Sequence, residues 1–230
     1  MEKFKSILKK IFESFLWIAL LILVADFVSK QIVLNTMNLG DKVPFLGEFF
    51  YFEFNVNQGM AFGISINIED PDMKALTNQI LFTAISVIGA AILTFVFIKT
   101  YKKSSKLEKV AIGLMLAGCL GNLIDRAFYT KGYLQTFDPN IDHNGVVDFL
   151  VLNFGFAKIP NFNIADSSLV IGTIMLIVVL IVQEVKETKQ KRKAELAIEG
   201  TEKLVSKDEQ IINENLKTEE KDETKPQDNE

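Results

Sequence analysis

The chain has 230 residues, 49% of them hydrophobic, and a formal net charge of −4. Mean hydropathy is a mild +0.22, but the apolar residues are gathered in four runs and the charged ones crowd the C-terminal end, which excludes an ordinary arrangement of one or two soluble domains. The charge says little about partners because the tail carries much of it, and no nucleic-acid partner is expected.

The segment before Phe15 alternates lysines (Lys3, Lys5, Lys9, Lys10) with apolar residues at helical spacing and reads as a basic interfacial start. The first apolar run, 15–33, is long and is followed by no small-x-small cleavage pattern, so it reads as a retained span rather than a signal peptide. Three more runs follow at 76–98, 107–128 and 164–185. Each approaches the ~20 residues needed to cross ~30 Å of hydrocarbon. Between the first two runs, Phe50-Tyr-Phe-Glu-Phe54 alternates with the period of a strand, and Pro44, Gly47, Gly59 and Gly63 mark turns. The fold expected is an all-α integral membrane protein of four transmembrane helices with a small extracytoplasmic β-sheet on the bilayer surface. Residues 1–186 form the membrane domain. Residues 187–230, rich in Lys, Glu, Asp and Asn, form a tail expected to be disordered or weakly helical. No internal repeat is visible.

The loop Lys99–Lys109 is short and strongly basic, and so is Lys186–Lys193. With the lysines of the first ten residues, these place both termini in the cytoplasm by the positive-inside rule. The connections 35–75 and 129–163 then fall outside.

Ionisable residues at membrane helices are costly and mark functional sites. Asp148, in Gly145-Val-Val-Asp148-Phe, and Asp166, in Phe162-Asn163-Ile-Ala-Asp166, both border apolar runs and have no basic neighbour in sequence. If they meet, each raises the cost of ionising the other and one proton is shared. Such a pair can activate water and protonate a leaving amine. The alternative is an N-cap at Asp166 and a loop carboxylate at Asp148. The helix dipole favours charge on Asp166, leaving the proton on Asp148. Asp26 and Lys30 are one helical turn apart and read as a structural ion pair. In Gly118-Cys-Leu-Gly-Asn122-Leu-Ile-Asp125-Arg126, Gly118 permits close helix packing and Asn122 can bond across helices. Asp125 reads as a structural or positioning charge beside Arg126. Asn57-Gln-Gly59 reads as a turn whose amide can hold a substrate backbone. Cys119 lies among apolar residues, poor surroundings for a reactive thiolate. Asn140-Ile-Asp142-His-Asn144-Gly145 opens like a calcium loop, but Val151 stands where a Glu is required. A triad of His143 with Ser167 or Ser168 has nothing to orient the histidine. No metal or cofactor is expected.

The motifs Asp26-Phe-Val-Ser-Lys30, Asn57-Gln-Gly-Met-Ala-Phe62, Gly121-Asn-Leu-Ile-Asp-Arg126, Val146-Val-Asp148-Phe and Phe162-Asn-Ile-Ala-Asp-Ser167, in this order, resemble lipoprotein signal peptidase (signal peptidase II) from about residue 14 to 186. The connection Tyr129–Gly145 is longer than the family pattern needs. The resemblance implies an intramembrane aspartyl endopeptidase of the bacterial cytoplasmic membrane, acting on diacylglyceryl-modified prolipoproteins just before the lipidated cysteine and inhibited by globomycin. It implies Asp148 and Asp166 as the catalytic pair and Asn57, Asn122, Arg126 and Asn163 as binding or positioning residues, with Asp26 and Lys30 in support. The other readings are a proton-coupled transporter, for which four spans without a repeat are a poor basis, and a non-catalytic scaffold binding lipoprotein precursors.

Overall fold

The computed structural model describes residues 16–59 and 68–223. The basic segment before Phe15 and the loop stretch Met60–Gly63 lie outside them. The elements run α1 (Leu16–Thr36), β1 (Lys42–Leu46), β2 (Phe50–Asn57), α2 (Pro71–Thr100), α3 (Lys106–Phe128), α4 (Lys131–Leu134), β3 (Val146–Leu152) and α5 (Ile164–Glu223). Among the described residues, four helical stretches are long and apolar enough to span a bilayer: Leu16–Thr36, Leu76–Thr100, Lys106–Phe128 and Ile164–Leu196. Their outward side chains, such as Leu20, Ile88, Phe95 and Ile174, are exposed, an arrangement suited to lipid and not to water. The protein is a multi-pass membrane protein.

Local chemistry sets the helix ends. Asp70 accepts the N–H of Met73 through its side chain at 3.2 Å, with proline at the first helical position of α2. Ser105 and Glu108 form a capping box at the start of α3. Small residues let α3 and α5 touch. A Cβ on Gly118 would lie 2.5 Å from the Ala165 carbonyl oxygen, and one on Gly121 would lie 2.8 Å from the Ala165 Cβ. Only glycine allows that approach.

The sheet has the order β1-β2-β3, antiparallel throughout. The aromatic alternation of 50–54 forms part of the central strand. The third strand, Val146–Leu152, carries Asp148, which the sequence left open as a loop residue. Its apolar, β-branched run pairs Asp148 with Asn55. A core of Val33, Leu34, Phe54, Val56, Tyr129, Ile141, Val147 and Phe149 seals the sheet against one end of the helices. Asp138 closes this layer by accepting the N–H of Leu39 at 2.7 Å and that of Asn140 at 2.8 Å. These two bonds hold its carboxyl below the usual range.

The chain divides into a unit ending at Val179 and a second beginning at Leu180. The second is the continuation of α5, helical to Glu223. Residues 187–223 are therefore helical, where the composition suggested disorder or weak helix. Lys, Glu, Ala and Gln are good helix formers.

Candidate active site

The site is built on the first turn of α5, where backbone N–H groups need partners. Asn163 sits at the cap. Its Oδ1 accepts the Asp166 N–H at 2.8 Å, and Asp166 Oδ2 accepts the Asn163 N–H at 3.2 Å. This is the reciprocal pattern of a capping box. Asp26 Oδ1 takes the Ala165 N–H at 2.8 Å. The cap is thus Asn163, and Asp166 is the third residue of the helix instead of the cap itself.

The amide of Asn163 then reaches across to β3. Its Nδ2 donates to Asp148 Oδ1 at 2.7 Å and to Asn122 Oδ1 at 3.0 Å. Asn122 Nδ2 donates to Asp166 Oδ1 at 2.8 Å, and Asn57 Nδ2 to Asp148 Oδ2 at 2.8 Å. Three asparagines from three elements therefore bracket two carboxylates. Asp148 is 1% exposed and Asp166 8% exposed. Asp166 also lines an apolar groove of about 220 Å³ with Leu152, Ile159, Phe162, Val170 and Ile171. Burial, reinforced by the Asp166 carboxylate, pushes the Asp148 carboxyl well above its ordinary range, and the amide donors offset this only in part.

Behind the asparagines lies a buried cation. Lys30 Nζ is 2.7 Å from Asp26 Oδ2 and 2.8 Å from Asp125 Oδ2. It also donates to Asn122 Oδ1 at 3.4 Å, which turns the donor end of that amide toward Asp166. Asp125 Oδ2 accepts the Val147 N–H at 3.2 Å, tying β3 to α3. The Asp26–Lys30 pair read from the sequence is thus one side of a three-residue cluster. Asp125 pairs with Lys30 rather than with the adjacent Arg126, because neighbouring helical residues point to different faces.

Arg126 instead donates through Nη2 to the Gly59 carbonyl at 2.7 Å and through Nη1 to that of Asn122 at 3.4 Å. Gly59 in turn donates its N–H to Asn57 Oδ1 at 2.8 Å, so Arg126 and Asp148 hold the same turn from two sides. One residue of this region, Gln79, was not singled out in the sequence. Gln79 donates to the Arg126 carbonyl at 3.1 Å and is itself hydrogen-bonded by Asn144. An amide inside an apolar run was the available signal for Gln79. Asn144 is engaged there and by the Lys131 N–H, not in a calcium loop. His143 contacts Asp142 and the Asn144 carbonyl, while Ser167 and Ser168 donate to backbone carbonyls. Cys119 is a half-buried free thiol. Among the described residues no three His, Cys, Asp or Glu side chains are grouped to hold a metal.

Fold and site together define a multi-pass membrane protein with a buried carboxylate pair at one end of its helices. The sequence profile of signal peptidase (SPase) II matches residues 18–182. The chain is 34% identical over 176 residues to the lipoprotein signal peptidase of Bacillus subtilis (strain 168), covering 75% of this chain and 96% of that protein. A bacterial membrane enzyme solved by the in meso method at 2.3 Å resolution superposes with a TM-score of 0.59 at 32% identity, over 76% of this chain and 90% of the other. A second such structure, at 1.9 Å, gives 0.54 at 34% identity, over 74% and 93%. The chain belongs to the signal peptidase II family, a family of membrane proteases.

Replacing Lys30 by Met leaves two carboxylates buried without their cation and is expected to cost about 3–5 kcal/mol. The triple variant Asp26→Asn, Lys30→Met, Asp125→Asn is expected to regain much of it. Thermal unfolding in detergent measures both, and an unchanged Lys30→Met midpoint would contradict the assignment. The raised Asp148 carboxyl sets a pH dependence. The folded chain binds that proton more tightly than the unfolded chain, so Asp148 lowers stability progressively as pH rises from about 3.9 through its raised value. Asp148→Asn removes this contribution. Its stability relative to the native chain should therefore increase with pH in denaturant titrations, and a difference independent of pH would be the contrary result.

Proposed function

We propose that this protein is an aspartic endopeptidase that removes the signal peptide from diacylglyceryl-modified prolipoproteins by cleaving before the lipidated cysteine. The observation that carries this reading is the single residue Asn163, whose side chain binds Asp148 and whose backbone and side chain bind Asp166. Two carboxylates held by one residue, buried, beside an apolar groove, are the groups that peptide hydrolysis without a metal requires.

In the resting site Asp166, at the positive end of α5, is ionised and Asp148 holds the proton. Asp166 takes a proton from water as its oxygen attacks the scissile carbonyl carbon, and Asp148 gives its proton to the carbonyl oxygen. Asp166 then passes its proton to the amide nitrogen of the lipidated cysteine. As the C–N bond breaks, Asp148 regains a proton from the collapsing diol. The pair ends as it began. Asn122 and Asn163 position the carboxylates, while Asn57 and Arg126 hold the turn at Gly59 against the substrate backbone. Asp26, Lys30, Asp125 and Gly118 support the site from behind.

The basic segments support an orientation with both termini in the cytoplasm of a bacterial inner membrane and the site toward the outer face. Residues 1–186 are the peptidase domain, residues 187–230 a cytoplasmic tail, and membrane lipid the solvent of the substrate. Globomycin-type inhibitors are expected to compete for this site, and no metal or cofactor takes part.

A gel-shift assay with a diacylglyceryl-modified prolipoprotein in detergent tests the reading. Asp148→Asn and Asp166→Asn, each folded, should lose between about 10² and 10⁴-fold in rate. Native cleavage should be blocked by globomycin and unaffected by chelators. Full activity in either variant would mean that the acid or base is another carboxylate, with Asp125 next. No cleavage by folded native chain would reject the function.

A further inference from the structure

Two turns meet at the end of the sheet away from Asn57. In the first, the Phe49 N–H donates to the Leu46 carbonyl at 3.3 Å; in the second, the Phe154 N–H donates to that of Ala157 at 2.8 Å. Gly47 and Gly155, both at positive φ, allow the tight reversals. The Asn153 N–H joins the turns by bonding the Phe49 carbonyl at 2.9 Å. Their aromatic rings pack in two groups, Phe49 with Phe154 and Phe156, and Phe45 with Phe50. Phe49 and Phe154 are 5.4 Å apart edge to face, Phe154 and Phe156 6.1 Å, and Phe45 lies 5.6 Å from Phe50. None of the tip rings is covered: Phe45 is 62% exposed, Phe49 47%, Phe154 45% and Phe156 91%. Single exposed apolar residues are ordinary, but four clustered on two linked turns mark an interaction surface.

The two faces of the hairpin differ. Lys42, Glu48 and Tyr51 line one surface depression, and Glu53 binds Lys158 at 2.7 Å and Lys42 at 3.5 Å on the same side. The other face carries Val43, Phe45 and Phe52. It continues onto α1 through a mostly apolar cleft that Val43 and Phe52 share with Ile32, Val33 and Met37, with Ser29 and Thr36 the polar residues in its lining. Beyond Asn153 the second turn leads into the apolar groove of Leu152, Ile159, Val170 and Ile171 on α5. Ile32 and Ile171 are themselves exposed on membrane spans. The aromatic tip is therefore continuous on both sides with lipid-facing helix surface.

We propose that the paired turns Leu46–Phe49 and Phe154–Ala157 dock on the phospholipid leaflet, inserting Phe45, Phe49, Phe154 and Phe156 at the boundary of headgroups and acyl chains. The polar face with Lys42, Glu53 and Lys158 stays toward water, as expected of an amphipathic element lying in the interface. The sheet that carries Asp148 is thereby fixed at a set depth relative to the membrane.

A single tryptophan at the tip reports this directly. In the Trp17→Phe, Phe156→Trp chain, folded by circular dichroism and reconstituted in vesicles of phosphatidylethanolamine and phosphatidylglycerol, emission should be blue-shifted. It should be quenched by lipids brominated near the carbonyl end of the chain and little affected by aqueous iodide. Iodide quenching without bromolipid quenching would overturn the proposal, because the tip would then be in water. Protection from both quenchers would also overturn it, because the tip would then be covered by protein. The same probe at Phe49 supplies the answer if the first variant does not fold.

Discussion

A lysine ammonium with no exposure, held between two carboxylates, is the constraint on which the rest depends. Lys30 cannot be buried at that depth without Asp26 and Asp125, and each partner brings an element with it. Asp26 is bonded to the first turn of α5 and Asp125 to the backbone of β3. One buried charge therefore ties α1, α3, α5 and the sheet to a common point. Buried ion clusters are weak sources of stability but strong penalties when broken. In a membrane the same logic selects one packing of helices whose apolar surfaces are otherwise interchangeable.

That arrangement also accounts for the geometry of the proposed catalytic pair. Asn122 points its oxygen at Lys30 and its amino group at Asp166. Asn163 is oriented by its duty as helix cap, which leaves its amino group aimed at Asp148. Neither asparagine needs to reorganise for the carboxylates to stand together, and preorganisation of this kind is where electrostatic catalysis draws its advantage. Asp166 also opens onto the apolar groove of Leu152, Ile159, Phe162, Val170 and Ile171.

The helices were legible because crossing hydrocarbon demands long, predominantly apolar runs, a requirement met within 16–36, 76–100, 106–128 and 164–196. Asp148 and Asp166 stood out for the converse reason, as charges where charges are expensive. The strand at Val146–Leu152 was less visible, since a short apolar run beside a polar loop has no decisive period and its pairing with β2 is set by residues ninety positions away. The link from Asp125 to Lys30 was hidden by the nearer Arg126, because adjacency in sequence is not adjacency on a helix. Asn163 was noticed, but its double role depends on a cap geometry that only the backbone reveals. The helical backbone beyond residue 186 follows from propensity, and weak helix was one of the two states its composition allowed.

In the proposed resting site the pair shares one proton at neutral pH, and it rests on Asp148. Infrared difference spectroscopy with isotope-labelled aspartate measures this directly, through the C=O stretch of a protonated carboxyl in the resting protein. The account predicts one such band at neutral pH in the native chain, absent from Asp148→Asn and retained in Asp166→Asn. A band that disappears only with Asp166→Asn, or no protonated carboxyl at all, would contradict it.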